Sequence, residues 1–151
     1  MARKLLAELL GTFLLVFFAV GVATLMFGFR FDGGSVAAGV VATAFAFGLT
    51  LLGLAYVLGP ISGAHVNPAV TLGAVLSRRT EPLEGLLYMV VQFAGGILGA
   101  LVLWGLFSQS PLYNKSIQGL GADGEWLTTP APVPRKTAGP RLRGPALWSE
   151  G

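Results

Sequence analysis

The sequence contains no cysteine and only one histidine, His65. The lack of cysteine excludes disulfide bonds and thiol chemistry. A zinc site needs several ligands and acid–base catalysis needs companion groups, and a single histidine supplies neither. We therefore expect no metal, no cofactor and no enzymatic activity, and we expect no nucleic-acid partner.

Charged residues are also scarce, at 11% of the chain, whereas 54% of the residues are hydrophobic. This composition is typical of membrane proteins. Three apolar runs lie at about 5–29, 36–58 and 86–107. Each is longer than the ~20 residues that are needed to cross about 30 Å of hydrocarbon. We expect three transmembrane helices in contact with the lipid bilayer.

A short polar segment interrupts the apolar pattern between the second and third runs. In it, Gly63 can adopt backbone angles that other residues avoid, Asn67 is a strong helix N-cap, and Pro68 suits a first helical turn. The helix that follows, about 68–77, is too short to cross a bilayer. We expect residues 60–77 to form a re-entrant loop and half-helix, which a membrane tolerates only where protein buries it or a watery cavity adjoins it. The pattern indicates a channel or a transporter.

Basic residues are distributed unevenly across the three-span arrangement. Arg3, Lys4, Arg78 and Arg79 fall on one side of the membrane, and only Arg30 falls on the other in the membrane part of the chain. Short cytoplasmic segments carry the excess of lysine and arginine in membrane proteins. We expect a multi-pass protein of the cell membrane with a cytoplasmic N-terminus.

The last part of the chain, 108–151, has a different composition. Five of the nine prolines lie in its last 22 residues, and it contains no apolar run long enough to span a membrane. Such proline-rich and basic sequence is typical of disordered chain. We expect an extracellular connector followed by a disordered tail, produced by truncation of a longer reading frame. A lineage-specific tail of a genuine three-span protein is the alternative.

Four motifs, in order along the chain, resemble those of the aquaporin and glycerol-facilitator family, the major intrinsic proteins. The family's first Asn-Pro-Ala loop is similar to His65-Val66-Asn67-Pro68-Ala69-Val70-Thr71. Its first three helices are similar to Ala7-Glu8 with Gly11-Thr12-Phe13, to Phe47-Gly48-Leu49-Thr50, and to Gln92 with Gly95, Gly96 and Gly99. The resemblance runs from about residue 3 to about residue 125. It implies an all-α membrane protein with three transmembrane helices plus one re-entrant half-helix, which is one of the two inverted repeats of that family.

The resemblance also implies roles for residues of the polar segment. The pore motif is formed by Asn67, Pro68 and Ala69, and the Asn67 amide meets water in single file. The backbone of the four preceding residues lines the pore: Gly63, Ala64, His65 and Val66. By position Phe47 resembles the aromatic residue of the selectivity filter, where phenylalanine accompanies water pores and tryptophan accompanies wider glycerol pores. The family resemblance further implies a homo-oligomer, a tetramer.

Glu8 lies about two turns inside the first span, where an unpartnered carboxylate costs several kcal/mol. We expect Glu8 to accept hydrogen bonds from loop N–H groups and from His65, so that these two residues brace the loop, a role that the resemblance also implies. A proton relay through Glu8 is the alternative.

Two pairs of small residues recur at a spacing of four. Small faces let helices pack closely in lipid, where no hydrophobic force drives helices together. We expect helix-packing roles for Ala44 and Gly48 in the second span and for Gly95 and Gly99 in the third.

These features favour a passive transmembrane channel for water, present here as a truncated half-channel. Glycerol or another small neutral solute is the alternative substrate. A membrane scaffold that does not conduct, or a non-functional fragment, is the alternative from another class. A half-channel that assembles with an inverted copy of itself would need dual topology, which the uneven basic residues disfavour.

Overall fold

The computed structural model describes residues 1–29 and 35–110. In them, three helices of 27 residues are long and apolar enough to cross a membrane, and a fourth has nine residues. These helices are α1 (Ala2–Gly28), α2 (Val36–Ser62), α3 (Pro68–Leu76) and α4 (Pro82–Ser108). The described residues contain no strand, and the predicted fold class, three spans plus one half-helix, is confirmed. Arg30 and the predicted tail beyond residue 110 lie outside the described residues.

Helix α1 is not regular throughout its length. Two π-helical turns of five residues, Val16–Val20 and Thr24–Gly28, interrupt its α-helical hydrogen bonding. The Thr24 hydroxyl donates to the Val20 carbonyl oxygen over 2.8 Å. The first part of the helix, Ala2–Leu15, precedes both turns and is regular α-helix. It is this regular part that carries Glu8.

Helix α2 continues four residues past the predicted end of the second span. Pro60 lies inside this helix, two residues before its end. A proline removes one backbone hydrogen bond of a helix, and the helix continues here because the other hydrogen bonds remain. The helix ends at Ser62 and is capped by Gly63, whose φ of 91° lies in the left-handed region and whose N–H donates to the Gly59 carbonyl over 3.0 Å. A glycine in this conformation is a common helix C-cap. The loop between α2 and α3 therefore begins after Ser62.

The first part of α1, Ala2–Leu15, packs more extensively against α4 than against α2. A Cβ atom on Gly95 would collide with the Leu9 carbonyl oxygen, and one on Gly99 would lie 2.9 Å from the Phe13 carbonyl oxygen. Glycine at these two positions lets the backbones of α1 and α4 approach closely, as small residues do in membrane helices. The buried residues of α4 form one stripe with a spacing of three or four: Gly85, Tyr88, Gln92, Gly95, Gly99 and Leu103.

Replacing Gly95 by alanine should destabilise the packing of α1 on α4, because the added methyl group meets backbone atoms of α1 rather than a movable side chain. We expect the free energy of unfolding to fall by about 1–3 kcal/mol, as measured by denaturant titration in detergent micelles. Gly105→Ala is the matched control in the same helix, since a Cβ atom there meets no described atom within 4 Å. Equal losses of stability in the two variants would contradict this packing.

Helix α2 contributes less to the interior of the protein. Within the described chain its buried residues are Gly39 and Leu54. A Cβ atom on Gly48 would meet nothing within 4 Å, and Ala44 is exposed. The packing role expected for Ala44 and Gly48 is therefore not found between the helices that the structure describes. This face of α2 is a surface rather than an interface within the described chain.

Candidate functional site

The loop between α2 and α3 has an unusual backbone. Gly63, Ala64 and Val66 have positive φ angles of 91°, 50° and 41°. For alanine and valine the left-handed region costs roughly 1–2 kcal/mol per residue, because Cβ crowds the carbonyl oxygen. Backbone strain of this kind persists only where the surrounding structure imposes it, and it is common at functional sites. The contacts of the loop identify what imposes it.

Glu8 is the main partner of the loop. Its carboxylate is fully buried and accepts four hydrogen bonds. Oε1 accepts from the Ser62 hydroxyl at 2.6 Å and from the His65 backbone N–H at 3.0 Å. Oε2 accepts from the Val66 backbone N–H at 2.6 Å and from the Gln92 side-chain amide at 2.7 Å. A single acidic side chain thus ties α1 to α2, the loop and α4.

The backbone and the ring of His65 have different partners. Glu8 accepts from the His65 backbone, whereas the ring Nδ1 lies 3.2 Å from the Thr71 hydroxyl. Thr71 is fully buried in α3 and accepts from the Gln92 amide over 2.9 Å. The ring also packs edge-on against Tyr88, with 5.4 Å between centroids. His65 thereby joins the loop to α3 and α4 through its ring, and to Glu8 of α1 through its backbone N–H.

Two further side chains fix the start of the loop. The Ser62 hydroxyl, which donates to Glu8, accepts from the Ala64 backbone N–H over 3.2 Å. The buried Tyr88 hydroxyl donates to the Ser62 carbonyl oxygen over 3.0 Å.

On the other side of the loop, the Val66 side chain is buried against Gly11 of α1, where any Cβ atom would collide with it. Close approach of α1 to the loop therefore requires glycine at position 11.

The half-helix α3 begins as the sequence predicts. The Asn67 side-chain oxygen accepts from the Ala69 backbone N–H over 2.8 Å, and Pro68 occupies the first helical position. Such a cap occupies the oxygen of the amide and leaves its NH2 group as a donor. Asn67 is exposed, and its NH2 group has no hydrogen-bond partner among residues 1–29 and 35–110.

The two sides of the loop backbone differ in their hydrogen bonding. The N–H groups of Gly63, Ala64, His65 and Val66 all donate, to Gly59, Ser62 and Glu8. In contrast, the carbonyl oxygens of these four residues accept no hydrogen bond from any part of the chain that the structure describes. Backbone carbonyls inside a membrane protein need a partner, because an unsatisfied one costs several kcal/mol in lipid. The loop thus presents four carbonyl acceptors, and then the Asn67 NH2 donor, for a partner outside the described chain.

The remaining predicted residue lies apart from this cluster. Phe47 is 41% exposed in the middle of α2. It precedes Ser62 by 15 residues in the same helix, which corresponds to roughly 20 Å along the axis. The structure therefore does not bring Phe47 to the loop. The described residues also contain no group of three or more His, Cys, Asp or Glu side chains that could hold a metal ion.

Four residues of the network were not predicted as site residues: Ser62, Thr71, Tyr88 and Gln92. Gln92 had a usable signal, because a single strongly polar residue inside an apolar span needs a buried partner. Tyr88 and Ser62 lie near the ends of predicted apolar runs, where polar groups are common, so composition did not distinguish them.

Comparison with known proteins agrees with this geometry. The family model described as "Major intrinsic protein" matches residues 1–127. Aquaporin Z of Photorhabdus laumondii is 41% identical over 124 residues, which are 82% of this chain and 52% of that protein. Aquaporin Z of Bradyrhizobium diazoefficiens is 36% identical over 122 residues, 81% of this chain and 49% of that protein. Aquaporin-5 of Ovis aries is 34% identical over 118 residues, 78% of this chain and 42% of that protein.

The chain therefore spans about half the length of the relatives that it matches. The matched region contains α1 to α4 and every residue of the loop network described above. The chain belongs to the major intrinsic protein family.

Proposed function

We propose that this chain forms one wall of a passive channel for water. The observation that supports the proposal is the unequal hydrogen bonding of the loop, in which four N–H groups are held by the protein and four carbonyl oxygens are left without a described partner. A row of carbonyl acceptors that ends at the Asn67 NH2 donor suits a molecule that both donates and accepts. Water is the smallest such molecule, and carbonyl oxygens can replace the partners that it has in bulk.

The half-helix adds a reason for selectivity against cations. The positive end of the helix dipole lies at the N-terminus, where Asn67 and Pro68 begin α3, and it opposes the approach of positive charge. By the family resemblance, Phe47 favours water over glycerol, because phenylalanine accompanies water pores at the corresponding position of the family. Glycerol or another small neutral solute remains the alternative substrate, and we infer a tetrameric assembly from the family resemblance.

The opposite wall would come from a second, inverted repeat of the same fold. To test the proposal, the part of Photorhabdus laumondii aquaporin Z that this chain does not cover is fused after Trp126. Vesicles that contain the fusion protein should shrink faster in stopped-flow light scattering than empty vesicles. A properly inserted fusion protein with no excess water permeability would favour the non-conducting scaffold instead.

In the fusion protein, Asn67→Asp separates the two roles of Asn67. Aspartate caps a helix as well as asparagine does, but it carries no N–H donor. We expect unchanged stability and a water permeability that falls about fivefold, as the loss of one hydrogen bond of about 1 kcal/mol implies. Gln109→Glu makes the same amide-to-acid change at the exposed far end of α4 and should leave the permeability unchanged. Equal permeability of the Asn67 variant and the parent would contradict the pore role.

The proposed orientation places the N-terminus and the α3–α4 connection on the cytoplasmic side of the cell membrane. A reporter that is active only in the cytoplasm should therefore work when fused after Arg79 and fail when fused after Gly119. The reason is the excess of basic residues near the first site. An external reporter signal after Arg79 would show that residues 63–76 cross the membrane instead of returning to the side on which they enter.

A further inference from the structure

The two ring nitrogens of His65 have different surroundings. Nδ1 lies 3.2 Å from the Thr71 hydroxyl oxygen. Nε2 forms no hydrogen bond with any residue of 1–29 and 35–110, and it lies beside Gly63, where a Cβ atom would be 3.4 Å away from it. In a neutral imidazole one nitrogen is a donor and the other an acceptor. The hydrogen bond at Nδ1 therefore decides which of the two Nε2 is.

The directions of the surrounding hydrogen bonds are set from Glu8 onward. Its Oε2 accepts from the Val66 backbone N–H over 2.6 Å, and a backbone N–H can only donate. The part of Gln92 that lies 2.7 Å from the same oxygen is the NH2 group, since the amide oxygen would set two acceptors against each other. The second hydrogen of this NH2 group points to the Thr71 hydroxyl oxygen over 2.9 Å. Gln92 thus makes Thr71 an acceptor.

The Thr71 hydroxyl has one hydrogen to donate and two lone pairs, of which Gln92 uses one. Its other neighbours are the Asn67 carbonyl oxygen at 3.1 Å, His65 Nδ1 at 3.2 Å and the Gln92 amide oxygen at 3.2 Å. The Gln92 oxygen belongs to the same amide whose NH2 group already donates to Thr71, so two well-aligned bonds cannot form there. The hydrogen therefore points either to Asn67 or to His65.

These two arrangements differ by one hydrogen bond. With the hydrogen on the side of His65, the Thr71 and Asn67 oxygens would lie 3.1 Å apart with no hydrogen between them. With the hydrogen directed to Asn67, as a helical threonine donates to the carbonyl four residues earlier, the second lone pair accepts from Nδ1–H of His65. The second arrangement makes three hydrogen bonds instead of two. Thr71 is fully buried, so no water compensates for the one that is lost.

We propose that Thr71 is a positioning residue that holds His65 in the form with its proton on Nδ1. Nε2 then carries a free lone pair and is an acceptor beside Gly63. This assignment deepens the proposed function, on which its role in the channel rests. The ring adds a further acceptor next to the row of carbonyl oxygens of residues 63–66. A water molecule at this point donates to the protein, and the Asn67 NH2 group is the donor at the end of the row.

The proton position can be measured directly, because His65 is the only histidine of the chain. The purified 151-residue chain, prepared without a histidine tag, is labelled with 15N-histidine and studied by NMR in detergent micelles at a mildly alkaline pH, where histidine is ordinarily neutral. Protonated and unprotonated ring nitrogens have well-separated shifts, and couplings to the ring C–H protons identify Nδ1 and Nε2. We expect the proton on Nδ1. A proton on Nε2, or averaged shifts from a mixture, would overturn the proposal.

Three variants test the role of Thr71. Thr71→Val removes the hydroxyl and nearly keeps the shape, so the ratio of the Nδ1–H form to the Nε2–H form should fall about fivefold or more, as the loss of one hydrogen bond implies. Thr71→Ser keeps the hydroxyl and should keep the wild-type shifts. Thr24→Val is the matched control, since Thr24 is also buried and its hydroxyl donates within its own helix, to Val20. It should leave the histidine shifts unchanged.

A separate measurement shows whether the loop stays folded in these variants. The Val66 amide, which Glu8 holds, should keep its slow deuterium exchange in Thr71→Val. Unchanged histidine shifts in Thr71→Val, or altered shifts in Thr71→Ser or Thr24→Val, would show that Thr71 does not set the proton position. If Thr71→Val loosens the loop, the wild-type shifts and the serine variant decide. None of these measurements involves water flux, which the fusion protein tests separately, so failure of this assignment and failure of the proposed function are distinguishable.

Discussion

Replacing Glu8 by alanine is expected to release the loop between α2 and α3. Four donors, from Ser62, His65, Val66 and Gln92, lose their only shared acceptor. A buried donor without a partner costs about 1–3 kcal/mol, and here four donors lose their acceptor together. We expect the free energy of unfolding to fall by about 3 kcal/mol or more. Deuterium exchange at the His65 and Val66 amides in detergent should accelerate with it.

Glu8→Gln distinguishes the acceptor role from a mere filling of space. Glutamine has nearly the same shape, but one of its two terminal atoms is an NH2 group that cannot accept. Each Glu8 oxygen bonds one backbone N–H, from His65 or from Val66. Whichever way the amide turns, one of these backbone donors faces another donor. We therefore expect Glu8→Gln to accelerate exchange nearly as much as Glu8→Ala does.

The matched control for this change is Glu84→Gln in α4. Glu84 pairs with Lys4 over 2.8 Å, and the lysine side chain is 46% exposed. Exposed ion pairs contribute only about 0–1 kcal/mol, so this variant should retain nearly all of the stability and the slow loop exchange. Unchanged exchange in both Glu8 variants would show that the loop is held without this carboxylate.

The local features of the site could be predicted from the sequence because they depend on neighbouring residues. Asn67 and Pro68 predicted the start of α3 through cap and first-turn preferences that act within three residues. Gly63 was expected to adopt backbone angles that other residues avoid, and its φ is 91°. The apolar runs predicted the three spans, and a helix can continue past the end of its apolar run, as α2 does through Pro60 to Ser62.

The partners across the site could not be predicted in this way, because they depend on how the helices pack. Gly95 and Gly99 face α1, whereas Ala44 and Gly48, with the same spacing, are left on the surface. Nothing in the spacing distinguishes these two pairs. In the same way, the sequence shows that Gln92 is polar inside a span. Only the packing of α4 on α1 and α3 shows that it bridges Glu8 and Thr71.

The second large effect concerns conduction by the chain without a second repeat. We expect vesicles that contain only the purified 151-residue chain to have the same osmotic water permeability as empty vesicles. One loop and one half-helix provide acceptors on one side of a water path. Many apolar residues of α2 are exposed instead of facing an opposite wall, among them Phe45, Phe47 and Leu49. Stopped-flow light scattering at matched protein density measures the permeability.

The chain alone should not conduct because the polar groups of the loop have no second repeat opposite them. The free carbonyl oxygens of residues 63–66 and the Asn67 NH2 group would face lipid, where each unsatisfied polar group costs several kcal/mol. The chain should lower this cost by self-association rather than by holding an open water path, so cross-linking should show oligomers without flux. The fusion protein with a second repeat is the positive control. Rapid shrinkage of vesicles with the chain alone would contradict the proposal of a single wall. Mercury would not block such a flux, because the chain has no cysteine for it to modify.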